Sequence, residues 1–249
     1  MASASGAVAS FFIPGLALYL YGPRFWGRLA LWACGLMLLV FFTELGRPAG
    51  NIAFGLLLSI HATGLNFFAE PWLTGSRFRL RVFVSLAILA ALGMGIYLPA
   101  RSFLEAHLFA PLQLDERVVV VKKFGTMSDV RRGEWIAYSL AEGGDHGAYV
   151  RAGMGLGPVL AGAGDRVRFT PTTLEVNGVA QPRSPFMPDS GELLVPEKHW
   201  FVWPDFAISG HGNVPDNTIT ATILPMATIT EDQFGGRPFK RWFWHRQFK

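Results

Sequence analysis

The sequence predicts an α+β protein, with a helical membrane region in its first hundred residues and a mostly antiparallel β-domain after it. Three observations predict this. Long apolar runs are confined to residues 1–100, which carry six Arg, no Lys and two acids, Glu44 and Glu70. Residues 101–249 hold 16 Lys plus Arg and 16 Asp plus Glu, the balance of a water-facing domain. Short β-branched and aromatic runs, punctuated by Gly, Pro and Asn-Gly, recur through that second part.

Overall the chain of 249 residues is 51% hydrophobic, 14% aromatic and only 16% charged, too apolar for an ordinary water-soluble protein. The formal net charge of +4 arises in the apolar half, so it gives no support to a nucleic-acid partner. Membrane lipid is the expected surroundings. The division expected is 1–100 membrane region, 101–236 β-domain and 237–249 basic aromatic tail.

Taken in order, apolar segments at about 5–22, 27–43, 51–69 and 81–99 each approach the roughly 20 residues needed to cross a bilayer core, predicting a four-helix membrane region. The first has neither a positive leader nor a small-residue cleavage pattern, which argues against a removable signal peptide. Pro14-Gly15 in its middle leaves a kinked or re-entrant hairpin as the alternative. Arg24 and Arg28 precede the second span and Arg77, Arg79 and Arg81 lie between the third and fourth, whereas Arg47 stands alone between the second and third. The positive-inside rule then places both termini, and the β-domain, outside the cytoplasm.

Within the third span, Ser59, His61, Thr63 and Asn66 are polar at membrane depth. A proton, cofactor or partner site would use such groups. Hydrogen bonding to neighbouring helices is the reading favoured here, because no carboxylate lies near His61 in the same span. Cys34 has no partner in the chain, and the six His show neither H-x-x-x-H nor H-E-x-x-H spacing. No cofactor and no metal is expected.

In the second part, 117–122 reads as a buried strand, and 133–140, 147–153, 165–170, 173–177, 199–203 and 217–229 read as further strands of a barrel-like domain. Gln181–Gly191, with three Pro, reads as a loop. The tail, Arg237–Lys249, combines five Lys or Arg with five aromatic residues and no acid. Such a segment suits either a lipid headgroup interface or packing against a protein surface.

Five boxes in this part resemble, in order, the core of the type I signal peptidases. Gly125-Thr126-Met127 stands where that family has G-S-M, and Gly133-Glu134-Trp135-Ile136-Ala137-Tyr138 where it has G-D-x-V-x-V. Tyr149-Val150-Arg151-Ala152 is similar to its Y-V-K-R box, Gly164-Asp165-Arg166-Val167 to its G-D-x-V, and Asn177-Gly178 to a strand-ending N-G. Val195-Pro196 followed by Phe201-Val202 continues the order. The resemblance covers residues 115 to 230 and implies a signal-peptidase-like β-domain on the outer face of a cell membrane, in a bacterial setting the inner membrane.

The chemistry implied by the resemblance is a serine attacking a peptide carbonyl while a neutral lysine accepts its proton. At those positions this chain has Thr126 and Arg151. A guanidinium stays protonated and has no lone pair to receive a proton, so Arg151 cannot serve as the base. Ser128 is a displaced candidate nucleophile, and Lys122 or Lys123 a substitute base. A solvated lysine near its ordinary pKa of about 10.4 is a poor one at neutral pH. The last box, G-D-N-x-x-x-S-x-D-S-R-x-x-G, should fall in residues 203–212, where Asp205, Ser209 and Gly212 are its remnants. The expected role is therefore a non-catalytic one: holding an extended peptide, or serving as a structural subunit beside other membrane proteins. The alternative is a divergent signal peptidase or pilin-maturation peptidase that cuts exported precursors.

Overall fold

The computed structural model describes residues 4–114, 117–145, 148–204 and 214–248, which form two compact units. The first comprises the chain up to Gln113 together with Arg241–Gln247; the second runs from Leu114 to Lys240 and includes Phe248. The boundary near residue 100 is thus displaced, because the last apolar run stays helical to His107. Residues 237–240 likewise belong to the second unit and not to a separate tail.

The first unit begins with α1 (Ala4–Phe12) and α2 (Leu16–Tyr21), followed by α3 (Arg24–Thr43), α4 (Pro48–Leu73), α5 (Phe78–Leu92) and α6 (Leu98–His107). Arg24–Thr43, Pro48–Leu73 and Phe78–His107 are long and apolar enough to cross a membrane, three such helices among the described residues where four are expected. The first apolar segment is broken at Pro14 and Gly15. Pro14 has no amide to donate, Gly15 sits at φ +81°, and Leu16 restarts the chain through a 3.2 Å bond to the Ile13 carbonyl. α2 then lies against α3 so closely that a Cβ on Gly27 would stand 2.3 Å from the Tyr19 Cα. Small residues at such crossings are how apolar helices associate where water supplies no driving force. Trp32 and Phe83 are 80% and 68% exposed, as a lipid-facing surface requires.

α5 and α6 are one rod interrupted by a π-helical turn at Gly93–Tyr97, closed by the Leu98 amide on the Gly93 carbonyl. The turn precedes Pro99, whose ring supplies no N–H to the ladder, and the wider turn absorbs that defect. It also turns Tyr97 inward, 5% exposed.

β1 (Phe109–Leu114) leads into the second unit. There follow β2 (Arg117–Lys122), β3 (Trp135–Leu140), β4 (Gly143–Asp145), β5 (Ala148–Val150), β6 (Gly153–Ala161), β7 (Arg166–Phe169), β8 (Thr173–Val176), β9 (Val179–Pro182), β10 (Gly191–Leu194), β11 (His199–Val202), α7 (Asp216–Ile223), β12 (Thr228–Thr230) and β13 (Phe234–Pro238). The larger sheet of this unit is ordered β2-β13-β3-β6-β11-β12 and the smaller β10-β7-β8-β9, with antiparallel pairing. Met127, Ile136, Tyr138, Val159, Val202 and Ile229 form one core cluster; Val167, Leu174, Val176, Phe201, Trp203 and Ile223 belong to the other.

The strand expected at 217–229 is a correction: it is α7, a 3₁₀ turn, and only then β12. The Thr-Ile-Thr composition imitates a strand, yet Ile219, Thr222 and Ile223 are the buried residues, spaced three and four apart as on a helix face. The strand expected at 147–153 is likewise divided: the short β5 pairs with β4, and the nine-residue β6 begins at Gly153 and enters the main sheet.

The chain then returns to the first unit in the hairpin β14 (Arg241–Trp242) and β15 (His245–Arg246). The Trp242 indole donates to the Phe42 carbonyl at 3.0 Å, and His245 Nε2 lies 2.9 Å from both Glu44 carboxylate oxygens. The tail is thus packed on protein, while Phe243 and Trp244 at its tip remain 51% and 62% exposed.

Gly236 sits at φ +125°, where a Cβ would meet the Lys122 carbonyl at 2.2 Å. Gly236→Ala should destabilise the protein by about 2–4 kcal/mol through backbone strain and overpacking. Thermal unfolding of the full chain in mild detergent reads this, and an unchanged midpoint would contradict so close a β2–β13 approach.

Candidate functional site

The candidate site is built on the turn after β2. Thr126, in extended conformation, caps a 3₁₀ turn over Met127–Asp129, and Met127 is fully buried in the core and anchors it. That leaves Thr126 and Ser128 exposed. The Thr126 hydroxyl lies 2.8 Å from Asp129 Oδ2 and 2.8 Å from the Ser128 hydroxyl. Since an ionised carboxylate only accepts, Thr126 donates to Asp129 and Ser128 donates to Thr126. The hydroxyl's proton is already directed at a specific acceptor.

That acceptor is a weak one. The Thr126 side-chain hydrogen bond, then the Thr126 backbone and the nearby Arg237 guanidinium, hold the Asp129 carboxyl below the usual carboxylate range. A general base works best with a pKa near the working pH, and this group is displaced the other way. Arg237 stands 4.0 Å from Asp129 and 3.8 Å from Glu134, joining the turn to the start of β3.

Arg151 is exposed and lies between β5 and β6. In the β3–β6 register Leu140 faces Gly153 and Trp135 faces Pro158. Arg151 is therefore just beyond the Leu140 end of that pair, while Thr126 lies in the turn that follows β2. The hydrogen-bond partners of the Thr126 hydroxyl are Ser128 and Asp129, and Arg151 is not among them. The Lys122 ammonium lies 5.7 Å from the Phe124 ring centroid. Ser209, with Asp205 and Gly212, lies outside the described residues.

The Gly-Asp and Asn-Gly turns have a structural role. Asp165 Oδ2 accepts from the Gly162 amide at 2.7 Å and from Arg132 at 2.6 Å, while Oδ1 accepts from Asn177 Nδ2 at 2.7 Å. Asn177 Oδ1 in turn accepts from the Arg166 amide at 2.9 Å. Asn177 and Gly178, at φ +52° and +81°, make the tight turn between β8 and β9. The Gly-Asp and Asn-Gly boxes thus bind each other. Partial burial opposes ionisation of Asp165, but the Gly162, Asn177 and Arg132 hydrogen bonds outweigh it and lower its pKa.

In the first unit His61 is buried, with Nε2 2.9 Å from the Ser10 carbonyl and Nδ1 3.1 Å from the Tyr97 hydroxyl. The carbonyl can only accept, so Nε2 carries the proton and Nδ1 accepts from Tyr97. Asn66 also reaches another helix, accepting from Ser85 at 2.9 Å. Ser59 and Thr63 do not: they are exposed and bond back to the carbonyls of Gly55 and Ser59.

Asp129, Glu134 and Arg237 escaped the sequence reading. T-x-x-D at Thr126–Asp129 has the spacing of a helix-start cap and could have signalled the first contact. The approach of Arg237, more than a hundred residues away, has no local signal. No family model matches the chain, and no curated protein matches it.

Acid should remove the stabilisation supplied by Asp165. A depressed folded-state pKa gives full stabilisation above the ordinary value of about 4, lost as pH falls through the lower folded value. Asp165→Asn should therefore melt below wild type at pH 7, with the gap closing near pH 3. A gap of equal size at both pH values would mean that the charge is irrelevant.

Proposed function

We propose that this chain is a multi-pass membrane protein whose β-unit is of signal-peptidase-like form without its chemistry, serving to hold an extended peptide or to act as a structural subunit of a membrane complex. The observation that carries this reading is the environment of Thr126: its hydroxyl is bonded to a carboxylate held in its weakly basic form, and the residue at the lysine position, Arg151, has no lone pair to accept a proton. A hydroxyl becomes a nucleophile only when a neighbouring group can take its proton, and none of its hydrogen-bonding partners can do so efficiently at neutral pH. Asp165 and Asn177, by contrast, retain full hydrogen bonding, which accounts for a fold kept after a reaction is lost.

The β-unit lies outside the cytoplasm in this proposal. Arg24 and Arg28 open α3, and Arg77, Arg79 and Arg81 surround the α4–α5 turn, so those ends face the cytoplasm under the positive-inside rule. The α3–α4 connection, bearing Arg47 alone and contacted by the tail at Phe42 and Glu44, is then on the outer side. In a bacterium the membrane is the inner one.

Purified protein should leave a preprotein with a small-residue cleavage site uncut, and Thr126→Ser with Arg151→Lys should not restore efficient cleavage. Reacting groups must sit within about half an ångström of their working geometry, which two substitutions without their supporting groups cannot achieve. Precursor cleavage that disappears on Thr126→Ala would instead favour an active, divergent peptidase. A stoichiometric copurifying membrane protein would support the subunit role.

Topology has its own test. A cysteine placed at Gly75 should resist a membrane-impermeant thiol reagent in intact cells, while one at Gly144 should react. The reverse labelling would refute the outward β-unit.

A further inference from the structure

At the α4–α5 turn end of the first unit, Thr63, Asn66, Glu70, Arg81 and Ser85, together with Phe67 and Leu73, line a cavity of about 200 Å³ whose polar groups stand among apolar ones. Its floor is internally satisfied. The Ser85 hydroxyl donates to Asn66 Oδ1 at 2.9 Å, the Asn66 amide donates to the Ala62 carbonyl at 3.0 Å, and Thr63 donates to the Ser59 carbonyl at 2.8 Å.

The mouth differs: it carries two opposite charges that do not meet. No ion pair within 4.0 Å joins Glu70 to Arg81, although both border the cavity, and Arg81 donates instead to the Leu73 carbonyl at 3.3 Å. Each charge lies three residues inside its helix end, at Leu73 and Phe78, or about 5 Å at 1.5 Å per residue. Thr63 lies ten residues from the same end of α4, or about 15 Å. With these helices spanning a bilayer, the cavity would open toward the headgroups and close toward the hydrocarbon. Both side chains are exposed and border the same gap, so a ligand can reach the two charges together.

We propose that this cavity binds the headgroup of an aminophospholipid, with the primary ammonium at Glu70 and the phosphate at Arg81. A zwitterion supplies both missing counter-charges at once. The ammonium also supplies N–H donors for the carboxylate, which a quaternary choline lacks, and a purely anionic headgroup would meet Glu70 unfavourably.

The test uses the full-length protein in mild detergent and native mass spectrometry, with phosphatidylethanolamine, its N-methyl and N,N-dimethyl forms, phosphatidylcholine and phosphatidylglycerol as probes. Retention should fall stepwise with methylation and be weak for phosphatidylglycerol. Glu70→Gln should reduce phosphatidylethanolamine retention by roughly tenfold, the worth of one charge-assisted hydrogen bond, while the lipid-free melting temperature stays unchanged. Equal retention across the methylation series on the unaltered protein would overturn the proposal, as would a preference for phosphatidylglycerol, which would mark the arginines as a plain anionic-lipid patch. The methylation series needs no variant, so a Glu70→Gln protein that folded poorly would not shield the proposal from refutation.

Discussion

The carboxylate of Asp165 is the interaction on which the second unit depends. It fixes the turn between β6 and β7 through Gly162, the β8–β9 turn through Asn177, and the loop before β3 through Arg132. That loop is pinned again where Gly133 and Glu134 exchange backbone hydrogen bonds with Val159. Glu134 then meets Arg237, Arg237 meets Asp129, and Asp129 accepts from Thr126. A polar chain thus runs from a structural turn to the exposed hydroxyl, so the geometry at Thr126 derives from the same contacts that hold the sheets in register. Its acidic members act as ion-pair partners and hydrogen-bond acceptors, a role that needs no proton transfer.

In the first unit the controlling constraint is that backbone and side-chain polar groups at membrane depth must find partners within the protein. Pro99 would leave a gap in the helix ladder, and the π turn before it absorbs the defect. The same turn carries Tyr97 to His61, and His61 in turn satisfies the Ser10 carbonyl just before the break at Pro14 and Gly15. One buried side chain therefore serves two irregularities in different helices. This gives His61 a structural reason to be polar, without a carboxylate partner or a proton path.

What could be read in the sequence follows from how local each signal is. The apolar runs declared α3, α4 and the α5–α6 rod because length and hydropathy are properties of a segment, and Pro14-Gly15 marked the interruption that makes α1 and α2 separate helices. Asn177-Gly178 declared its hairpin because a two-residue turn with positive φ needs those residues. β6 was hidden by its Gly-rich sequence, which pairs with β3 along six residue pairs despite poor strand propensity. α7 was misread for the opposite reason, its β-branched residues outweighing a helical burial period visible only once the core is known. The approach of Arg237 to Asp129 is a tertiary fact, created by β13 entering between β2 and β3.

Connectivity bears on what the second unit can do. The chain leaves the first unit after α6 and returns to it in the β14–β15 hairpin, where Trp242 and His245 bond to Phe42 and Glu44. The second unit is thus an insertion in the chain of the first, entered after Gln113 and left after Lys240. Closing so long an inserted segment costs an entropy that grows only slowly with its length, so the hairpin contacts have a modest cost to offset. The basic, aromatic tail is in this way a protein contact through Trp242 and His245, while Phe243 and Trp244 at its tip stay exposed, the position aromatic rings take at a headgroup interface.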